Sequence, residues 1–203
     1  NLIIYGNGLK SLKKPDSEIY LGNSGTSARL LTGLLSSQNF ETILTGDKSL
    51  SSRPMKRISE PLKKMGADIQ TQDGKMPIKI RGNALTKTNI DVELPSAQIK
   101  SGLILAAINT DGETNIFEKN ITRDHTEIML ESFGANIINL RKNDGKLIKV
   151  EGNKELKSQN IDVPSDLSSS AFFIVSALIN KNSKILLKNI NVNPTRDGVL
   201  TAL

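Results

Sequence analysis

One supersecondary pattern occurs twice in this chain, about 70 residues apart, and it limits the possible folds more than any bulk property does. Leu62-Lys-Lys-Met-Gly-Ala-Asp-Ile69 returns as Leu130-Glu-Ser-Phe-Gly-Ala-Asn-Ile137. Each copy continues through a Gly-Lys turn, in Asp73-Gly-Lys75 and Asp144-Gly-Lys146, into a second strand, Ile78-Lys-Ile-Arg-Gly-Asn83 or Ile148-Lys-Val-Glu-Gly-Asn153. A second echo pairs Asn89-Ile-Asp-Val92, Pro95-Ser96 and 103–108 with Asn160-Ile-Asp-Val163, Pro164-Ser165 and 172–179.

The repeated unit reads as strand, apolar helix, strand, amphipathic helix and a hairpin of two strands. Gly-Ala after each amphipathic helix supplies a left-handed cap, and the Asp-Ile or Asn-Ile alternation that follows opens a strand. One unit runs over 20–83, a second over 88–153, and a third begins near 160. The amphipathic helix at 54–65 sets Ile58, Leu62 and Met65 on one stripe and its lysines and arginine elsewhere, as a surface helix does. The helices at 97–109 and 167–180 have little charge after Lys100. A helix apolar nearly all round must be wrapped by other elements, so each unit is expected to place one helix inside and a sheet outside.

Small polar residues precede each inner helix: Gly22-Asn-Ser-Gly-Thr-Ser27, Pro95-Ser-Ala-Gln98 and Pro164-Ser-Asp-Leu-Ser-Ser169. Free amides and the positive end of the helix dipole attract phosphate or carboxylate there. Ordinary capping accounts for the same residue types, and both readings stand at this level. Arg53, Arg123 and Arg196 lie just before or at the start of the outer helices. The helix dipole disfavours a cation there, so a bidentate clamp on an oxyanion competes with a solvated loop arginine as the explanation.

The absence of cysteine removes disulfides, thiolate metal sites and a cysteine nucleophile from this stretch. His125 is the single histidine, which rules out a multi-histidine zinc site here. One imidazole gives no acid–base constellation, and we read it as structural. A net charge of +6 suits either a nucleic-acid binder or an enzyme of anionic substrates. The basic residues are scattered in pairs such as Lys13-Lys14 and Lys63-Lys64, and two tyrosines and five phenylalanines offer few bases a stacking surface, which favours the enzyme. No apolar run approaches a bilayer span, and residues 1–5 lack the layout of a signal peptide, so the expected location is the cytoplasm. The chain opens on Asn1 and closes on what reads as a helix just begun, so both ends look cut.

Leu21-Gly-Asn-Ser-Gly-Thr-Ser-Ala-Arg-Leu-Leu31, Gly46-Asp-Lys-Ser-Leu-Ser-Ser-Arg-Pro-Met55, Ser96-Ala-Gln-Ile-Lys-Ser101, Thr122-Arg-Asp-His-Thr-Glu127 and Val163-Pro-Ser-Asp-Leu-Ser-Ser-Ser-Ala171 together resemble the successive blocks of the 3-phosphoshikimate 1-carboxyvinyltransferase (EPSP synthase) family. Order and spacing agree over the whole chain, and two of the blocks are nearest the bacterial class II branch. The resemblance implies an α/β fold, an inside-out α/β barrel built from repeated βαβαββ units (the enolpyruvate transferase fold), with two complete units and part of a third present. It places two units of the first lobe at 1–158, and the crossover and start of the second lobe at 159–203.

The resemblance also implies the reaction: transfer of the enolpyruvyl group of phosphoenolpyruvate to the 5-hydroxyl of shikimate 3-phosphate, in the pathway to chorismate and aromatic amino acids. Phosphoenolpyruvate then falls to Gly25, Arg53 and Gln98, and shikimate 3-phosphate to Ser96, Ala97, Gln98 and Arg123. Ala97 stands where many members have serine, so only its amide can serve. Asn23 and Arg29 are expected to support the Gly25 loop. Glyphosate occupies the phosphoenolpyruvate pocket of the family, and glycine at position 25 implies a susceptible enzyme. The family's acid–base candidates fall outside this sequence; no catalytic residue, metal or cofactor is assigned, and the 203 residues alone are expected to be inactive. The partners implied are the two small substrates, with a monomer and no nucleic acid or membrane. UDP-N-acetylglucosamine 1-carboxyvinyltransferase, whose usual reactive cysteine has no counterpart here, and a non-enzymatic basic repeat protein are the alternatives.

Overall fold

The structure is a computed structural model that describes residues 2–203; Asn1, where the expected first lobe begins, lies outside the described residues. Two compact units are present, Asn1–Ser158 and Gln159–Leu203.

The first unit contains the repeat as two modules of identical topology. Module one comprises β1 (Ile19–Tyr20), α1 (Gly25–Ser36), β2 (Glu41–Thr45), α2 (Lys48–Ser52), α3 (Lys56–Lys64), β3 (Asp68–Gln72) and β4 (Lys75–Arg81). Module two comprises β5 (Asn89–Val92), α4 (Ala97–Ile108), β6 (Glu113–Glu118), α5 (His125–Ser132), β7 (Asn136–Lys142) and β8 (Gly145–Glu151). Each module has a four-stranded sheet, ordered β1-β2-β4-β3 and β5-β6-β8-β7. The first two strands of each sheet are parallel, as the intervening inner helix requires, and the other pairs are antiparallel. Along β4, Met76, Ile78 and Ile80 face the core while Lys75, Pro77 and Lys79 face outward, the period-two pattern of a sheet covered on one side.

The two inner helices pack on each other at the centre. Ile99, Leu103, Ile104, Ala106, Ala107 and Ile108 of α4 are all buried, so its apolar circumference has a structural cause. Glycine permits the close crossing. A Cβ on Gly33 would lie 1.9 Å from the carbonyl oxygen of Gly102, so the two backbones touch where any side chain would separate them. The amphipathic helices end in matched caps. Ala67 N–H donates to Leu62 O and Gly66 N–H to Lys63 O, and Ala135 and Gly134 repeat this bonding to Leu130 and Glu131. This is the six-to-one and five-to-two pairing of a Schellman motif, with Gly66 and Gly134 in the left-handed region.

Two expectations need correction. The 54–65 segment is preceded by a separate short helix, α2, which Asp47 caps by accepting from Leu50 N–H at 2.7 Å and which Leu50 seals against the core. The second hairpin does not turn on Gly145. Its strands pair through Lys142 and Gly145, leaving Asn143 and Asp144 as the turn, whereas the first hairpin turns on Asp73 and Gly74, both at positive φ.

The second unit contains α6 (Leu167–Ile179), α7 (Gly198–Ala202) and a single parallel bridge between Ser165 and Ile190. Phe172 (79% exposed), Phe173, Leu178 and Ile179 lie open to solvent; the expectation of an enclosed inner helix holds for α4, and the part of the third unit present here does not test it for α6. Within 159–203 nothing corresponds to the sheet and helices that wrap α4.

Candidate functional site

The starts of α1 and α4 form one polar cluster. Each is capped by serine: Ser24 Oγ accepts from Ser27 N–H at 3.1 Å, and Ser96 Oγ accepts from Ile99 N–H at 3.4 Å. Capping occupies a lone pair of Ser96 and leaves its hydroxyl hydrogen available to an anion. The amides of Ala97 and Gln98, in the first turn of α4, make no hydrogen bond among the described residues.

Gln98 joins the two helix starts. Its Oε1 accepts from Arg29 Nη1 at 2.8 Å, its Nε2 donates to Thr26 Oγ1 at 2.8 Å, and Arg29 Nη1 also reaches Gly25 O at 3.0 Å. Arg53, at the end of α2, donates through Nη2 to Asn23 Oδ1. A Cβ on Gly25 would sit 2.7 Å from Arg29 Nη1 and 3.0 Å from Arg53 Nη1, so glycine is what lets two guanidinium groups close over the start of α1.

The electrostatics of this cluster are lopsided. Burial, and then repulsion from Arg53 and Arg57, hold the Arg29 guanidinium below its ordinary pKa. None of the three arginines forms an ion pair with a carboxylate among the described residues. Arg29 and Arg53, with no carboxylate ion pair among the described residues and beside free helix-start amides, make a site that gains from binding an anion, and Arg57 adds to the positive field.

Gly25, Arg53 and Gln98 thus come together, with Asn23 and Arg29 in direct contact with them, and Ser96 and Ala97 adjoin through the first turn of α4. Arg123 stands apart from these hydrogen bonds. It is half-buried two residues before α5, and its side chain bonds to no other described residue. Arg196 has a different setting, in the second unit. Its Nη2 donates to Asp166 Oδ1 at 3.2 Å and to Ser168 Oγ at 2.8 Å at the start of α6. Asp166 caps that helix, and hydrogen bonds from the Ser169 side chain and amide hold its carboxyl below the usual range, so this third helix start already carries its own anion.

Thr26 and Arg57 were not singled out from sequence, nor was a buried ionic group in module two. Lys100 Nζ lies 2.9 Å from Glu118 Oε1 and 2.9 Å from Glu127 Oε1, and Lys146 Nζ is 3.5 Å from Glu127 Oε1. Lys100 and Glu127 are 0% exposed and Glu118 is 1%. The available signal was one lysine inside an apolar helix, since lysine is almost never enclosed unless paired. Among the described residues no group of acidic, histidine or cysteine side chains could hold a metal ion, and no helix is long and apolar enough to cross a membrane.

The family model for EPSP synthase (3-phosphoshikimate 1-carboxyvinyltransferase) matches residues 1–203. A 3-phosphoshikimate 1-carboxyvinyltransferase of Magnetococcus marinus is 50% identical over 98% of this chain and 44% of its own length, and one of Streptococcus uberis is 48% identical over 98% and 46%. The structure of EPSP synthase from Acinetobacter baumannii superimposes with a TM-score of 0.86 at 46% identity, covering 95% of this chain and 43% of that one. The chain therefore spans a little under half the length of the relatives it matches.

Proposed function

Because this chain belongs to the EPSP synthase family and has the enolpyruvate transferase fold, we propose that the protein transfers the enolpyruvyl group of phosphoenolpyruvate to the 5-hydroxyl of shikimate 3-phosphate. The products are 5-enolpyruvylshikimate 3-phosphate and inorganic phosphate. The methylene carbon of phosphoenolpyruvate gains a proton and becomes a methyl group, the 5-hydroxyl oxygen adds to the resulting cationic carbon and loses its proton, and the tetrahedral adduct expels phosphate while the methyl group gives up a proton and becomes methylene again.

The observation that carries this reading is the pair of Arg29 and Arg53 over the joined starts of α1 and α4, neither in an ion pair with a carboxylate among the described residues, with Arg57 near enough to repel Arg29. Both substrates are anions, and electrostatic preorganisation is what such a site supplies. Gly25 and Arg53 take phosphoenolpyruvate. Ser96, the amide of Ala97 and Arg123 take the phosphate of shikimate 3-phosphate, and Gln98, already bonded across the helix starts, meets both. Residues 1–158 form two modules of the first lobe, and 159–203 are the crossover and the start of the second. The protein acts as a monomer on small molecules in the cytoplasm.

The test uses an enzyme of full family length carrying this sequence. Release of phosphate from phosphoenolpyruvate should depend on shikimate 3-phosphate. Release that depends instead on UDP-N-acetylglucosamine, or on neither acceptor, would overturn the proposal.

A further inference from the structure

Resting on the assignment of Arg123 to the phosphate of shikimate 3-phosphate, we infer that the buried group of Lys100, Glu118 and Glu127 is a positioning device for Arg123. It holds the loop that carries this arginine at a fixed place relative to the start of α4.

Arg123 belongs to the short connection between β6 and α5, and both of its flanks are tied to α4. On one side the Thr122 amide and hydroxyl donate to Glu118 Oε2 at 3.2 and 2.7 Å, and Thr122 O accepts from Lys100 Nζ at 3.2 Å. On the other, Thr126 Oγ1 meets Ser101 Oγ at 2.6 Å and Glu127 pairs with Lys100 at 2.9 Å. Lys100 and Ser101 lie one turn along the helix whose first turn bears Ser96, Ala97 and Gln98. The loop cannot move without breaking contacts to a rigid, enclosed helix.

The same group is absent from module one, which shows that the fold does not require it. The caps Ser24 and Ser96 equate Ala28 with Lys100. The pairings Glu41 with Arg81 and Glu113 with Glu151, each partner preceding a glycine, equate Gly46 with Glu118. The caps at Leu62 and Leu130 equate Ser59 with Glu127. Three small residues thus stand where three buried ionic ones stand in module two. Module one holds its own arginine by another means, since Arg53 ends α2, which Asp47 caps and Leu50 anchors. Burying charge is costly, and Glu127 Oε2 is enclosed with no hydrogen-bond partner among the described residues, so geometric definition of the loop, rather than stability, is the function this group can serve.

The test compares Michaelis constants in a full-length enzyme. Thr122→Val removes the hydroxyl bond to Glu118 with little disturbance of the core, and Thr122→Ser restores it. Lys100→Met combined with Glu118→Gln, Glu127→Gln and Lys146→Met neutralises the whole group, Lys146 included because it lies 3.5 Å from Glu127. Thr122→Val should raise the KM for shikimate 3-phosphate about fivefold and the neutralised variant about tenfold, with the KM for phosphoenolpyruvate within about twofold of wild type. Thr122→Ser should return to wild type. On an Arg123→Ala background neither change should add more than about twofold, because positioning has nothing left to act on. If Arg123→Ala is effective while folded Thr122→Val leaves the KM for shikimate 3-phosphate unchanged, the positioning inference alone falls. A silent Arg123→Ala removes both it and the assignment of Arg123. Should the neutralised variant fail to fold, the Thr122 pair decides.

Discussion

The two modules of the first unit share sheet order and the caps that end their amphipathic helices, yet they hold their arginines in different ways. In module one the connection over 46–55 is long enough to form α2, and buried Leu50 holds that turn to the core. In module two the connection over 119–124 is shorter and has no helix of its own, and a buried lysine with two glutamates does the holding. An apolar anchor tolerates small shifts, because dispersion and burial have no strict direction. An enclosed ionic group does not, because each unmade contact strands a charge. Duplication therefore preserves a scaffold while the loops that carry function acquire separate supports.

The largest expected effect comes from breaking the ionic support halfway. Lys100→Met alone leaves Glu118 enclosed without a cation and Glu127 with only Lys146 beside it, and should cost about 3 to 5 kcal/mol of stability, whereas the combined neutral variant should recover most of it. Denaturant midpoints at constant m-value measure both, and a single variant that loses under about 1 kcal/mol would deny that the group is an obligatory unit.

Next are the arginines themselves. Arg53→Ala should cost about 2 to 5 kcal/mol in transition-state binding, expressed in the KM for phosphoenolpyruvate, with Arg53→Lys recovering part. Arg123→Ala should act on shikimate 3-phosphate instead. If both variants move the same Michaelis constant, the two modules do not divide the substrates.

A smaller effect tests the start of α1. Gly25→Ala places a methyl group against Arg29 and Arg53, which must then move aside. Glyphosate should lose affinity over phosphoenolpyruvate by about 1 to 3 kcal/mol, the usual worth of a methylene-sized change. Equal changes in the inhibition constant and the KM would mean that the crowding is not selective.

The smallest effect concerns what the modules share. Gly66→Ala and Gly134→Ala each force a left-handed residue to carry a Cβ, at about 1 to 2 kcal/mol. Similar losses of denaturation midpoint from the two confirm matched caps, and a silent Gly134→Ala would show that the second helix end relaxes.

Much of this was legible in the residues. Gly-Ala after Leu62 and Leu130 announced both helix ends, because only a left-handed residue completes that cap. Ser24 and Ser96 announced the helix starts for the equivalent reason. The first hairpin turned where Asp73-Gly74 predicts, but the second did not. Cross-strand register from Asn136 to Lys142 moved its turn ahead of the glycine. Lys100 inside an apolar helix signals a paired charge, but the sequence does not name its partners, because Glu118 and Glu127 reach it from a strand and another helix. Arg29, expected to support the Gly25 loop, does bond to Gly25 O, and only the tertiary structure reveals its approach to Arg53 and Arg57.

What the sequence determined by itself is periodic or local: the repeat, the order of the elements, their caps and the enrichment of polar residues ahead of the inner helices. Such features depend on backbone preferences and on hydrophobic spacing within a few turns, so neighbouring residues suffice to specify them. The tertiary structure decided which distant side chains share a space. Gln98 reaches Arg29 and Thr26 only because Gly33 and Gly102 let the helices α1 and α4 touch at the backbone. Lys100 carries its charge into the core only because two carboxylates from elsewhere in module two meet it there. Electrostatic energy depends on distance and burial, and neither is a property of position along the chain.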